Sequence, residues 1–182
     1  MEETMGRKTP LRIAITGPES TGKSQLARQL AEHYNESWVP EYSREYLMLS
    51  GGKYKFKDIL AIAKGQYKNE RKYLQEARNI LFCDTDFFVT YIWEKVKYGK
   101  AHKWIEDKLM YPGYDYTLLC GIDLPWEFDP LRENPYDRDV LFKMYLDELN
   151  LRNVNYSVIY GTGEERLRNA ILALENSRLL NR

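Results

Sequence analysis

Five short apolar runs are spaced along the chain, and longer amphipathic stretches separate them. The runs are LRIAIT (11–16), SWVP (37–40), NILFCD (79–84), YTLLC (116–120) and YSVIY (156–160). They are rich in β-branched and aromatic side chains, as strands buried on both faces are. Between them the pattern takes a helical period. GKSQLARQLAEHYN sets Leu26, Leu30 and Ala31 on one face, with Ala27 and Tyr34 beside them. ILAIAKGQYKNERKYLQEA lines up Ile59, Ile62, Ala63, Tyr67 and Leu74, and GEERLRNAILALEN lines up Leu167, Ile171 and Leu174. Strand alternating with helix predicts right-handed crossovers and an α/β fold: a five-stranded parallel sheet flanked by helices on both faces. ENSRLLNR reads as a helix end that frays. GIDLPWEFDPLRENPYDR (121–138) keeps neither period and carries three prolines, two arginines and five acids. An irregular stretch of that length in a compact domain points to a lid segment.

Composition narrows the class. A length of 182 residues with 43% hydrophobic content fits one domain over 1–182. Basic and acidic side chains balance at 27 each, which argues against a partner such as nucleic acid or an anionic membrane. Cys83 and Cys120 each end an apolar run without metal-type spacing, so buried strand thiols in a reducing compartment are expected. MEETMGRKTPLR lacks the apolar core of a signal peptide, and no run approaches a membrane span. The expectation is a cytoplasmic protein. Oligomeric state is not fixed, and a homo-oligomer stays open.

The first run leads into a chemical motif. Gly17-Pro18-Glu19-Ser20-Thr21-Gly22-Lys23-Ser24 matches G-x-x-x-x-G-K-[ST] between a strand and an amphipathic helix. Glycines allow backbone angles that turn N–H groups inward, and the helix start adds a partial positive charge. Lys23 supplies a full charge for β- and γ-phosphates, and the Ser24 hydroxyl is placed to ligate Mg²⁺. The expected cofactors are ATP and Mg²⁺ on a P-loop NTPase fold, with Gly17, Glu19, Ser20, Thr21, Gly22, Lys23, Ser24 and Gln25 around the nucleotide. LSGGK at 49–53 lies too close behind Lys23 to be an ABC-type signature and reads as a helix stop.

Three further stretches carry candidates. In VPEYSREYL, Glu41 follows the second strand, where a carboxylate can take a proton from an attacking hydroxyl; Tyr42 and Arg44 are candidate acceptor contacts. In NILFCDTDFF, Asp84 closes a strand as a Walker-B acid does and is a candidate metal and acceptor ligand. Asp86 reaches the same crevice, and an N-cap is the competing role for Asp84, Thr85 or Asp86. In the lid, Arg132 and Arg138 are candidates to offset transition-state charge, against a bland role pairing with nearby acids. Trp126 is a candidate acceptor contact. Gly161, in YGTGEERL, sits where a flat ring can approach the backbone, and a simple strand-to-helix turn is the competing reading.

ITGPESTGKS, VPEYSREYL, CDTDFFVTYIWEKVKYG and DLPWEFDPLRENPYDR together resemble the ribosylnicotinamide kinase domain of NadR-type proteins, in order from about residue 11 to 170. The resemblance implies a kinase that phosphorylates the 5′-hydroxyl of nicotinamide riboside with ATP. It also implies that Glu41 or Asp84 stands beside that hydroxyl, with Asp86 lining the crevice. The chain departs from the pattern in having Pro130 after Asp129 and no HxGH adenylyltransferase signature. Two other readings stay open: another small-molecule nucleoside or nucleotide kinase, or an ATP-binding regulatory module. A GTPase is disfavoured, since N-K-x-D is missing.

Overall fold

A computed structural model of the chain describes residues 9–110 and 113–181. The five apolar runs form β1 (Leu11–Thr16), β2 (Ser37–Val39), β3 (Ile80–Asp84), β4 (Tyr116–Cys120) and β5 (Tyr156–Ile159). All pairs are parallel, in the order β2-β3-β1-β4-β5. The second run stops at Val39, because Pro40 has no N–H to give a ladder. The helices are α1 (Lys23–Tyr34), α2 (Tyr42–Leu49), α3 (Phe56–Glu76), α4 (Phe87–Tyr98), α5 (Lys103–Met110), α6 (Arg138–Leu151) and α7 (Gly163–Asn176).

Alternation along the strands divides the core. Ile13, Ile15, Phe82 and Leu118 pack on α1 and α7. Val39, Leu81 and Cys83 face Ala77, Tyr73 and Leu74 at the end of α3, and Leu119 faces α4, α5 and α6. Both cysteines are free and buried.

The structure corrects three local readings. The α7 face that is fully buried is Arg166, Ala170 and Leu174; Leu167 and Ile171 only flank it. The buried face of α3 includes Gln66 and Glu70, while Tyr67 and Leu74 sit half-buried. The stretch after α7 does not simply fray: a 3₁₀ turn over Leu179–Asn181 follows, and Leu179 is buried. Gly51 and Gly52 do end α2 in a turn.

Parallel strands put every C-terminal end on one edge. β1 and β3 are neighbours there, yet α1 leaves β1 on one face and α4 leaves β3 on the other. That divergence opens a crevice above the sheet, where ligands bind in open α/β folds.

Candidate active site

The floor of the crevice is the turn from β1 into α1. Gly17 has φ 133°, and a Cβ there would lie 2.9 Å from the Cys120 carbonyl oxygen. Only glycine fits so close to β4. Gly22 caps α1 at φ 76°, and the first turn of α1 carries no acid. The free N–H groups and the helix dipole are thus left unopposed for an anion. Lys23 Nζ donates to the Pro18 carbonyl at 2.7 Å, and Thr21 Oγ1 donates to the same oxygen at 2.7 Å. The loop is preformed.

Two acids flank it. Asp84 is buried at the end of β3, and burial together with the Glu41 charge pushes its carboxyl up to about 7, against the pull of the Ser24 hydroxyl, the Lys23 charge and the Glu41 N–H. Among the described residues its Oδ1 is buried without a hydrogen-bond partner, as is Oδ2 of Asp86. Glu41 stands at the N-cap of α2 without capping it, and accepts from Ser43 Oγ at 2.5 Å. Thr85, at φ 72°, turns the chain, and Asp86 lines a small pocket with Glu41, Ser43 and Gln66. Asp86 accepts from the N–H groups of Phe88 and Val89 at 3.0 and 3.3 Å and from Thr16 Oγ1 at 2.8 Å. It is the N-cap of α4, and burial pushes it up to about 7 as well.

Among the described residues, no three His, Cys, Asp or Glu side chains cluster to hold a metal. Magnesium at a phosphate site needs fewer, since it keeps waters and phosphate oxygens among its ligands. The orphaned Asp84 oxygen beside the Ser24 hydroxyl fits that demand.

The irregular segment between β4 and α6 lies across the loop. Glu19 Oε2 accepts from the N–H groups of Glu133 and Asn134, each at 3.0 Å. Ser20 Oγ accepts from the Glu127 N–H at 2.9 Å and from Arg132 Nη1 at 3.3 Å. Arg138, the first residue of α6, donates to the Ser20 and Leu124 carbonyls at 3.1 and 2.9 Å. Among the described residues neither lid arginine pairs with an acid; carbonyls and the Ser20 hydroxyl hold them beside Trp126, each 5.9 Å from its ring centre. Arg44 pairs with Asp129 at 2.8 Å, and Lys97 with Glu133 at 2.8 Å. The Leu131 N–H and Arg44 hold the Asp129 carboxyl below its usual range. Tyr54 donates to Glu133 at 2.5 Å and accepts from Trp93 Nε1 at 2.8 Å.

These parts enclose a cavity of about 740 Å³. Its lining takes in the loop from Gly17 to Gln25, Glu41, Ser43, Arg44 and Arg132. Its far wall is largely apolar, with Leu47, Val89, Ile92, Trp93, Leu131, Leu141 and Tyr145. Asp84 adjoins Ser24, outside that lining. Asp86, Tyr42, Trp126, Arg138 and Gly161 also lie outside it. The Gly161 N–H donates to Asp123 at 2.5 Å.

Sequence reasoning missed Arg166. It is buried on α7, pairs with Asp123 and donates to the Gly161 and Thr21 carbonyls at 2.8 and 3.1 Å. It ties the end of the phosphate loop to the loop after β5. Its signal was an arginine at i−4 and i−8 from Ala170 and Leu174, a core position of the stripe. Tyr54, Lys97 and Glu133 were also missed, since nothing local marks a contact across so much chain.

A family model described as an AAA domain matches residues 12–166. The chain belongs to this AAA domain family. The chain is 28% identical over 152 residues to the trifunctional NAD biosynthesis/regulator protein NadR of Salmonella typhimurium, covering 79% of this chain and 37% of that protein. It thus spans well under half the length of that relative. A crystal structure of NadR protein in complex with NR superposes with a TM-score of 0.75 at 21% identity, over 93% of this chain and 52% of the other. A thymidylate kinase from Ehrlichia chaffeensis gives 0.64 at 16% identity, over 95% and 100%. This AAA domain therefore has the fold of P-loop kinases. Among its described residues no helix is long and apolar enough to cross a membrane.

Proposed function

We propose that the chain is an ATP-dependent kinase that phosphorylates the 5′-hydroxyl of nicotinamide riboside, giving NMN. One observation carries the reading: the phosphate loop and Glu41 line the same cavity beneath the lid segment, so a donor phosphate and an acceptor hydroxyl can be held side by side. The similarity to NadR supports the choice of acceptor, and the apolar far wall suits a flat ring.

The roles follow from position. The loop amides and Lys23 hold the β- and γ-phosphates. Ser24 and Asp84 would hold Mg²⁺, which when bound neutralises phosphate charge. Glu41 orients the ribose hydroxyl and receives its proton. The hydroxyl oxygen bonds to the γ-phosphorus as the bond to the β-phosphate oxygen breaks, and ADP leaves. Arg132, reached through the lid, offsets charge on the migrating group, and Arg138 holds the loop from behind. The transition state is loose, so positioning outweighs base strength. Asp86 serves as cap and support.

The test is a product assay with ATP, magnesium and a panel of nicotinamide riboside, other nucleosides and nucleoside monophosphates. NMN from nicotinamide riboside is the expected product. Transfer only to another acceptor overturns the substrate, and release of inorganic phosphate alone overturns the kinase.

The lid contacts exclude water from the transfer. Glu133→Gln weakens the Lys97 pair and leaves the fold intact, since both side chains are partly exposed. The ratio of phosphate release to NMN formation is expected to rise about tenfold. Parallel malachite-green and chromatographic assays read that ratio, and an unchanged value contradicts the lid's role.

A further inference from the structure

The buried inner face of α3 carries two polar side chains, Gln66 and Glu70. A buried amide must satisfy its donors and its acceptor. Gln66 Oε1 accepts the Tyr42 N–H at 2.9 Å. Gln66 Nε2 lies 3.4 Å from Glu70 Oε1 and 3.4 Å from the Asp84 carbonyl oxygen. The Tyr42 N–H can only donate and the Asp84 carbonyl can only accept, so the orientation of the amide is fixed. Glu70 is held in turn by Arg12 and by the Tyr114 hydroxyl at 2.8 Å. The glutamine therefore bridges the backbone beside Glu41 to the backbone of Asp84.

The preceding residue acts on the same neighbour. A Cβ on Gly65 would lie 2.0 Å from the Tyr42 ring. The glycine leaves a seat into which that ring packs, so Tyr42 faces α3. Two adjacent residues of α3 thus grip one residue of α2 by ring and by backbone. That residue directly follows Glu41.

We propose that Gly65 and Gln66 are positioning residues: they dock the start of α2 and so set where the Glu41 carboxylate stands relative to Asp84. The inference rests on the assignment of Glu41 to the acceptor. Neither residue lines the large cavity; Gln66 lines a small pocket beside it together with Glu41, Ser43 and Asp86.

The experiment compares Gln66→Met, Gly65→Ala and Gly65→Ala with Tyr42→Leu against the wild type. Gln66→Met keeps the length but removes the amide. The Tyr42 amide is expected to exchange its hydrogen about tenfold faster in this variant, read by NMR without ligands. The turnover number for NMN is expected to fall about 10- to 100-fold while the KM for ATP stays within about twofold. Gly65→Ala should lose turnover similarly, and adding Tyr42→Leu should recover most of it by clearing the clash. Unchanged Tyr42 exchange in Gln66→Met overturns the dock. Turnover that survives a freed Tyr42 amide, a KM for ATP that rises in step with lost turnover, or a double variant no better than Gly65→Ala overturns the positioning role. A wild type that phosphorylates no acceptor overturns the functional reading instead; the exchange measurement still decides whether the dock exists. Should Gly65→Ala fail to fold, Gln66→Met carries the test alone.

Discussion

Lys23→Ala is expected to lower NMN formation by roughly 10³-fold, equivalent to about 4 kcal/mol of transition-state stabilisation. The ammonium is the one full positive charge carried by the phosphate loop itself, between Gly17 and Ser24. Its bond to the Pro18 carbonyl holds it over the loop before any ligand arrives, so little reorganisation precedes the reaction. The loop amides and the start of α1 stay in place, and nucleotide binding should weaken less than turnover. Steady-state kinetics beside calorimetric titration with an ATP analogue separates the two effects. A variant with near-normal turnover removes Lys23 from the chemistry.

Asp84→Asn is expected to stop turnover while making the ligand-free protein more stable. The Asp84 carboxyl rises from 3.8 to about 7 on folding, because burial and the Glu41 charge both oppose ionisation. The folded state therefore binds this proton more tightly than the unfolded chain. Its contribution to stability is fully present below about pH 4 and is lost as pH rises through about 7. Asparagine keeps the shape without the buried charge. At pH 8 the gain should be roughly 1–3 kcal/mol, or a Tm about 5 °C higher. The Tm of the wild type should also fall more steeply between pH 6 and 8 than that of the variant. Thermal denaturation at several pH values, with the kinase assay alongside, checks both. A less stable, fully active variant would mean that Asp84 is a structural acid. The cost of keeping this charge buried is what a cation-binding acid incurs until its cation arrives.

The sheet was legible because each strand is a continuous apolar run, and the phosphate loop because its spacing is local. Asp86 shows where local reading stops. An acid two residues after a strand end is equally a ligand and a cap, and only the Thr85 turn and the Phe88 and Val89 amides show it capping α4. Arg44 shows the same limit, since its partner Asp129 lies 85 residues on. Gln66 and Glu70 interrupt an apolar stripe, and a polar residue there looks like a pattern error until its partners on α2, β1 and β3 are known. The lid arginines were expected either to face phosphate or to pair with acids. The fold rests both on backbone carbonyls beside Trp126, with Arg132 also bonded to the Ser20 hydroxyl and lining the cavity that holds the phosphate loop.

Glu19 belongs to the phosphate loop and also holds the amides of Glu133 and Asn134. Lifting the strap would loosen the phosphate loop itself, and two of its other moorings, Arg44–Asp129 and Lys97–Glu133, are partly exposed charge pairs. Such pairs contribute only about 0.2–1 kcal/mol each and weaken as dissolved ions shield them. On the proposed function, release of ADP would then depend on ionic strength, with the strap held more firmly in dilute buffer than in brine.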